Sequence, residues 1–271
     1  MHESKSWSRC FAVTVAAVIV AAVACTRAAI SSPANSTRRL AGAAHPTSHP
    51  RAVDDPLVRH RLVLGYSVKH RPIVAEQIGD PDSPRRVLVV GCIHGNEPAG
   101  IAIARALASV AIPAELDLWI VPDLNPDGLS SAIRGNARGV DLNRNFPYRW
   151  RPLGPRRGRQ YAGPRALSEP ETRLAATLLQ KLRPSLGIWY HQALDVVDSS
   201  QGPRQSEQRY AADTGMPLNG LPDYPGSAVG YEDHLFGPTA FAVELPPGAP
   251  SGPMITRQLH AVIDVAQRTT G

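Results

Sequence analysis

Residues 86–97 read RVLVVGCIHGNE. Behind its first arginine, Arg86–Gly91 is an apolar run rich in valine, the pattern of a strand buried on both faces at the centre of a sheet. Cys92–Asn96 then turns sharply, and Ala99–Val110 carries helix-forming residues with apolar spacing. Leu116–Val121 (LDLWIV) is the next strand, and 122–145 is a long loop rich in Asn, Asp, Gly and Arg. Upstream, Arg61–Val68 and Ile73–Ile78 read as two early strands in a hairpin. Downstream, Ser168–Leu182 opens on Ser-Glu-Pro-Glu, a helix-start signal, and runs on as an amphipathic helix. Leu186–Tyr190 is a strand with His191 at its end. Thr239–Val243 is a late strand that ends at Glu244, and Met254–Gln267 is a closing helix. Strands alternating with helices predict an α/β domain: a three-layer α/β/α arrangement with a mixed, largely parallel central sheet. Ligands bind such sheets at the carboxyl ends of strands. His94, Asn125, His191 and Glu244 each follow or end a strand, so the pattern directs them to one cleft.

The chain has 271 residues, 43% hydrophobic and 19% charged, which suits one globular domain with or without a tail. A net charge of +6 favours polyanionic surroundings such as a cell wall, a membrane surface or acidic substrates. No recognition-helix or zinc-finger pattern accompanies it, so nucleic acid is not an expected partner. Lys5 and Arg9 precede an apolar run, Phe11–Ala24, that closes on the small residues Ala22-Val23-Ala24, the form of an export signal. The run is shorter than the roughly 20 residues of a membrane span. Cys25 follows directly, where a lipoprotein carries its lipid, although Ala22 stands where a large aliphatic residue is usual. Lipid on Cys25 is therefore the one membrane link expected, and secretion without it is the simpler alternative. Residues 1–25 are assigned to the signal, 26–57 to a disordered linker rich in Ala, Ser, Thr, Pro and Arg, and 58–271 to the domain. With only Cys10, Cys25 and Cys92, the fold does not depend on disulfides.

His94 and Glu97 stand three apart in a tight turn and can offer one nitrogen and one oxygen to a single ion. A catalytic zinc keeps three protein ligands and leaves the fourth position to water. His191 is the best third candidate. His2, His45 and His49 lie in the signal or linker, and His60, His70, His234 and His260 lack an apolar strand leading into a polar turn. A lone His-x-x-Glu recurs by chance, and a strand-end histidine is commonly a hydrogen-bonded surface residue. Spacing alone leaves the metal site open.

The segments HGNE (94–97), NPDG (125–128), RGNARGVDLNRNFP (134–147), SEPET (168–172), the strand-end His191 and VELP (243–246) occur in this order. Together they resemble the zinc metallocarboxypeptidase family over residues 60–250. The NPDG to DLNRNFP stretch and SEPET look closest to its bacterial murein peptide amidase branch. The resemblance implies one zinc ion per chain held by His94, Glu97 and His191, with Glu244 as the catalytic carboxylate. It implies Arg134 at the developing oxyanion, Asn143 and Arg144 on the substrate's terminal carboxylate, and Asp141 orienting His94. The chemistry agrees: zinc lowers the pKa of a bound water to about 7, a carboxylate base relays its proton, and a guanidinium fork matches a carboxylate. A carboxylate closing the apolar run Phe241–Val243 faces desolvation and needs a partner or a task.

The implied function is hydrolysis of a peptide or isopeptide bond beside a free carboxylate, the γ-D-glutamyl-diaminopimelate bond of cell-wall peptides, by an exported monomer that is secreted, wall-associated or lipid-anchored. The alternatives are a deacylase of small N-acyl amino acids and a non-catalytic wall-peptide binder. The sequence departs from the family pattern at Lys69-His70-Arg71-Pro72, where a glycine is more usual before the arginine. Between Tyr148 and Tyr161 it adds a basic loop carrying Arg149, Arg151, Arg156, Arg157 and Arg159, either solvated or facing anionic polymer. Digestive members use a tyrosine over the substrate; Tyr224 and Tyr231 are the nearby candidates. Residues 225–228 are expected to shape the side-chain pocket.

Overall fold

The computed structural model describes residues 59–269, so the signal and linker assigned to 1–57 lie outside the described residues. β1 (Arg59–Tyr66) and β2 (Pro72–Gly79) form the expected antiparallel hairpin. They are followed by β3 (Arg86–Val90), α1 (Ala99–Leu107), β4 (Asp117–Val121) and α2 (Pro126–Ser130). A single 3-10 turn (Leu142–Arg144) interrupts the long loop before α3 (Pro170–Leu182) and β5 (Leu186–Gln192). The remainder is β6 (Val196–Asp198), α4 (Arg204–Thr214), β7 (Leu218–Asn219), α5 (Ala228–Phe236), β8 (Ala240–Leu245) and α6 (Gly252–Arg268). All eight strands join one sheet in the order β1-β2-β4-β3-β5-β8-β6-β7. The central strands β4, β3, β5 and β8 are mutually parallel, while β2 and β6 run antiparallel to their inner neighbours. The mixed, largely parallel three-layer sheet read from the sequence is therefore present.

Two cores cover the sheet, and the period-2 alternation of strands sorts residues between them. Val87 and Val89 of β3 face one side with Ile103 and Leu107 of α1 and Val262 of α6. Leu88 and Val90 face the other with Leu179 of α3 and Trp189 of β5. β3 is buried on both faces, which is why its sequence is a run and not an alternation. α1 stops at Leu107, short of the expected Val110; the Ser109 hydroxyl donates to the Arg105 carbonyl instead of extending the helix. No helix among the described residues is long and apolar enough to cross a membrane.

Glycines set how closely α1 meets the sheet. A Cβ on Gly100 would fall 2.2 Å from the Gly91 carbonyl oxygen and 2.4 Å from Cβ of Tyr190. Gly91 directly follows β3 and Tyr190 lies within β5, so the helix would have to move. Gly100→Ala is expected to cost about 1–3 kcal/mol of stability. Gly252→Ala, where no atom lies within 4 Å, should shift the denaturant midpoint little. Equal midpoints for the two variants would refute this account of the packing.

α5 brings a carboxyl group into the interior. Glu232 is fully buried; Trp189 Nε1 donates to its Oε2 at 2.8 Å, and Oε1 has no partner. Burial pushes its pKa up to about 8. A raised folded pKa means that the folded state binds the extra proton. Stability is then fully present below the ordinary value of about 4.5 and is lost as pH rises towards about 8. Glu232→Gln should flatten that decline, by at most about 1.4 kcal/mol per pH unit. Denaturation midpoints of both proteins across this window test it, and parallel curves would contradict a neutral Glu232.

Candidate metal centre

The turn after β3 is shaped to place two side chains together. Glu97 N donates to the His94 carbonyl at 2.9 Å, closing an i,i+3 turn that puts both side chains on one side. A Cβ on Gly95 would sit 1.9 Å from the carbonyl carbon of Gly128, so the HGNE turn lies directly on the NPDG turn. Asn125 ties them: its Nδ2 donates to the Ile93 and Arg134 carbonyls, and its Oδ1 accepts from Gly128 N. His191 arrives from the end of β5, in register with Glu244 of β8.

Three donor atoms converge. His94 Nδ1 lies 2.8 Å from Glu97 Oε2, and His191 Nδ1 lies 3.1 Å from both. The three residues are buried, their ligand atoms lie within 4.8 Å of one another, and they form the one such cluster found among the described residues. Asp141 Oδ1 sits 3.0 Å from His94 Nε2. A proton held there leaves the Nδ1 lone pair aimed at the cluster. The Asn143 amide is 3.4 Å from His191 Nε2, too long to fix that ring's tautomer. Two imidazole nitrogens facing each other beside a carboxylate are a nitrogen, oxygen, nitrogen donor set suited to zinc. Burial opposes ionisation of Glu97, but hydrogen bonds and charge from His191 and His94 outweigh it and hold its pKa well below the usual range.

The other residues singled out in the sequence surround this trio. The ligands, Arg134, Asn143, Arg144 and Glu244 line one cleft of about 660 Å³, and Asp141 lies behind it. Glu244 Oε2 is buried without a partner, and burial pushes its pKa up against the opposing charge of His191. Arg134 is clamped: Nη1 donates to Glu97 Oε1 at 2.7 Å and Nε to Asp141 Oδ2 at 2.9 Å, which leaves Nη2. Asn143 Oδ1 accepts from Ala228 N, joining the loop to the start of α5. Arg144 donates through Nη1 to the Asn143 carbonyl, its Nε is buried unpartnered, and no carboxylate among the described residues forms an ion pair with it. The Arg144 guanidinium carbon lies 3.9 Å from the ring centroid of Tyr224.

That contact separates the two tyrosines. Tyr224 lines the cleft, whereas Tyr231 is buried in the core and accepts from Gln180. The SEPET segment acts from behind. Asn136 Nδ2 donates to Glu169 and Glu171, Val68 N donates to Glu171, and Thr172 Oγ1 donates to Asn145 Oδ1. These bonds fasten the loop that carries Asp141–Arg144. In the basic loop, Arg149 pairs with Asp223, Arg157 packs against Gly139, and Arg159 lines the cleft. Of residues 225–228, Ser227 lines the cleft and caps α5 through Gly230 N.

An α/β sheet with a nitrogen, oxygen, nitrogen donor trio at the carboxyl edge of its parallel strands defines a single-metal site of the zinc-enzyme type. A family model described as zinc carboxypeptidase matches residues 52–208, and the chain belongs to that family. The match includes the trio, Arg134, Asp141, Asn143 and Arg144; Glu244 lies beyond it. Murein peptide amidase A of Escherichia coli K12 is 30% identical over 131 residues, 44% of this chain and 53% of that protein. The Vibrio campbellii murein peptide amidase A is 33% identical over 151 residues, 51% of this chain and 58% of that protein. The chain thus spans about half the length of the curated relatives it matches. Among solved structures, the murein-tripeptide amidase of Escherichia coli O157 superposes with a TM-score of 0.63 at 24% identity, covering 78% of this chain and 93% of that one. Carboxypeptidase A of Helicoverpa armigera gives 0.67 at 20% identity, covering 78% and 68%. Both are likenesses of fold.

If Asp141 fixes the tautomer and orientation of His94, Asp141→Ala should weaken zinc binding about 10- to 100-fold. Competition against a chromophoric chelator measures this, and an unchanged affinity would remove Asp141 from that role.

Proposed function

We propose that the chain is a zinc-dependent hydrolase that cleaves a peptide or isopeptide bond beside a free carboxylate. Its substrate is the γ-D-glutamyl-diaminopimelate bond of cell-wall peptides, met outside the cytoplasm after export. One juxtaposition supports this best. Glu244, a carboxylate with an unpartnered oxygen, and Arg144, a cation with no ion pair among the described residues, line the same cleft as the donor trio.

His94, Glu97 and His191 would hold the zinc, which when bound supplies a Lewis acid at the scissile carbonyl and lowers the pKa of water. Glu244 takes the proton of the attacking water and returns it to the leaving amine. Its unpartnered oxygen leaves it free to do so. Arg144, with Asn143 beside it, takes the substrate's free carboxylate in a planar fork, and Tyr224 against the guanidinium keeps that fork in place. Arg134 turns its remaining Nη2 to the charge that develops on the carbonyl oxygen. The names of the murein amidase relatives, and the resemblance of the NPDG to DLNRNFP and SEPET segments to that branch, favour a wall peptide over an acyl amino acid.

A zinc-loaded preparation should release diaminopimelate from a wall tripeptide and little acetate or succinate from N-acyl amino acids; the reverse pattern would replace this function with a deacylase. Glu244→Gln should keep zinc and lower turnover about 10²- to 10⁴-fold, and near wild-type turnover would exclude it as the base. Arg144→Ala should raise KM for substrates with a free terminal carboxylate far more than for amidated ones. Equal losses on both would count against the carboxylate grip.

A further inference from the structure

The cleft extends past the metal ligands to a wall built by β6 and the segment before α5. β6 pairs antiparallel with β8, Val196 opposite Glu244 and Val197 opposite Val243. The same register brings Asp198 level with Ala242. That is two residues, about 7 Å, along the strand from Glu244, and alternation puts Ala242 on the face that carries Glu244. Ala242, Val229 and Gly230 line this part of the cleft with little bulk. The hollow therefore suits a long, unbranched side chain, with Asp198 beside its end.

The charge of Asp198 meets no cation among the described residues. Its Oδ1 accepts from Ser200 N and from Leu221 N, both at 2.9 Å, and its Oδ2 has no hydrogen-bond partner among the described residues. The bond to Ser200 is an Asx turn, which an asparagine would make as well. No basic side chain among the described residues pairs with Asp198. Arg159, which lines the same cleft, is exposed and pairs with no carboxylate among the described residues. A half-buried carboxylate with one oxygen fixed by backbone and the other bare in a substrate cleft lacks a cation.

We propose that Asp198 determines specificity by accepting the ammonium group at the end of the side chain of the residue whose carboxylate Arg144 holds, so that the site selects a diamino acid on the leaving side. This rests on the hydrolase function proposed above. Its new content is the residue that reads the side chain and the charge that it requires.

Four tripeptides L-Ala-γ-D-Glu-X test it, with X as diaminopimelate, lysine, Nε-acetyl-lysine or norleucine. Wild-type enzyme should favour lysine over acetyl-lysine and norleucine by about 10- to 100-fold in kcat/KM, the range of a charge-assisted hydrogen bond. Asp198→Asn keeps the turn and should erase that preference by raising KM for the ammonium-bearing substrates, with kcat and the norleucine rate changed less than about twofold, since the reacting groups are untouched. The wild-type series needs no variant and stands even if the substitution impairs folding. A wild type indifferent to the ammonium group, or an Asp198→Asn that retains the preference, overturns this inference and leaves the hydrolase function standing. Cleavage of none of the four by zinc-loaded wild type overturns both.

Discussion

The Asp141 carboxylate joins everything that the site needs. It is 1% exposed and carries three bonds: His94 Nε2 at 3.0 Å and Asn143 N at 3.0 Å on one oxygen, and Arg134 Nε at 2.9 Å on the other. A buried carboxylate without such partners would cost several kcal/mol or take up a proton. Burial here is outweighed by the charge and hydrogen bond of His94 and by the charges of Arg134 and Arg144, which hold the pKa of Asp141 far below the usual carboxylate range. One ionised group therefore fixes the first histidine, starts the 3-10 turn that presents Asn143 and Arg144, and positions the guanidinium that also grips Glu97. Removing it would release three parts of the cleft at once.

Chain direction explains why those parts can meet. β4, β3, β5 and β8 are parallel, so the turns after β4 and β3 and the ends of β5 and β8 share one edge of the sheet. Residues almost a hundred positions apart become neighbours without any long excursion of backbone. The cost falls on the intervening loop, which must bury polar atoms under the cleft. Asn125, Asn136 and Asn145, all fully buried, meet it by binding carbonyls, carboxylates and hydroxyls on neighbouring segments. Glu169, Glu171 and Thr172 of the SEPET segment complete that network, which gives the motif a structural purpose behind the cleft.

Legibility in the sequence followed the strength of the physical signal. β3 and β5 were readable because burial on both faces leaves an apolar run, and α3 because its start carries a cap-like Ser-Glu-Pro-Glu and its face an apolar period. The region between His191 and β8 was not. β6 and β7 have three and two residues and exist through pairing alone. α4 (RQSEQRYAADT) buries Glu207, Tyr210, Ala211 and Thr214, too few apolar side chains to set a period. α5 begins at a Ser227 cap inside what read as a pocket loop. The same holds at the site. His94, Glu97 and His191 stood out only through the order of several motifs, and Arg134 gave no hint that two carboxylates clamp it. Asp198 belongs to no motif; its place in the cleft depends on the pairing of β6 with β8, which no local pattern encodes.

Among the buried polar atoms without partners, two pairs of residues differ in a way that bears on function. Glu232 and Glu207 sit away from the cleft, and burial pushes them up to about 8 and about 7, so that near neutral pH the proton remains on Glu232 and the charge is largely avoided. A neutral carboxyl with one idle oxygen is a modest defect that packing absorbs. Arg144 cannot escape in this way, because a guanidinium keeps its proton throughout the working range. It is buried without an ion pair among the described residues, it borders a cleft wide enough for a ligand, and it lines the same space as Glu244, whose Oε2 has no partner. The charges of Asp141 and Glu97 offset part of its burial, but no carboxylate among the described residues forms an ion pair with it, which leaves the guanidinium able to bind one. The free carboxylate proposed for the substrate would supply that partner, and its two oxygens match the planar fork of the guanidinium.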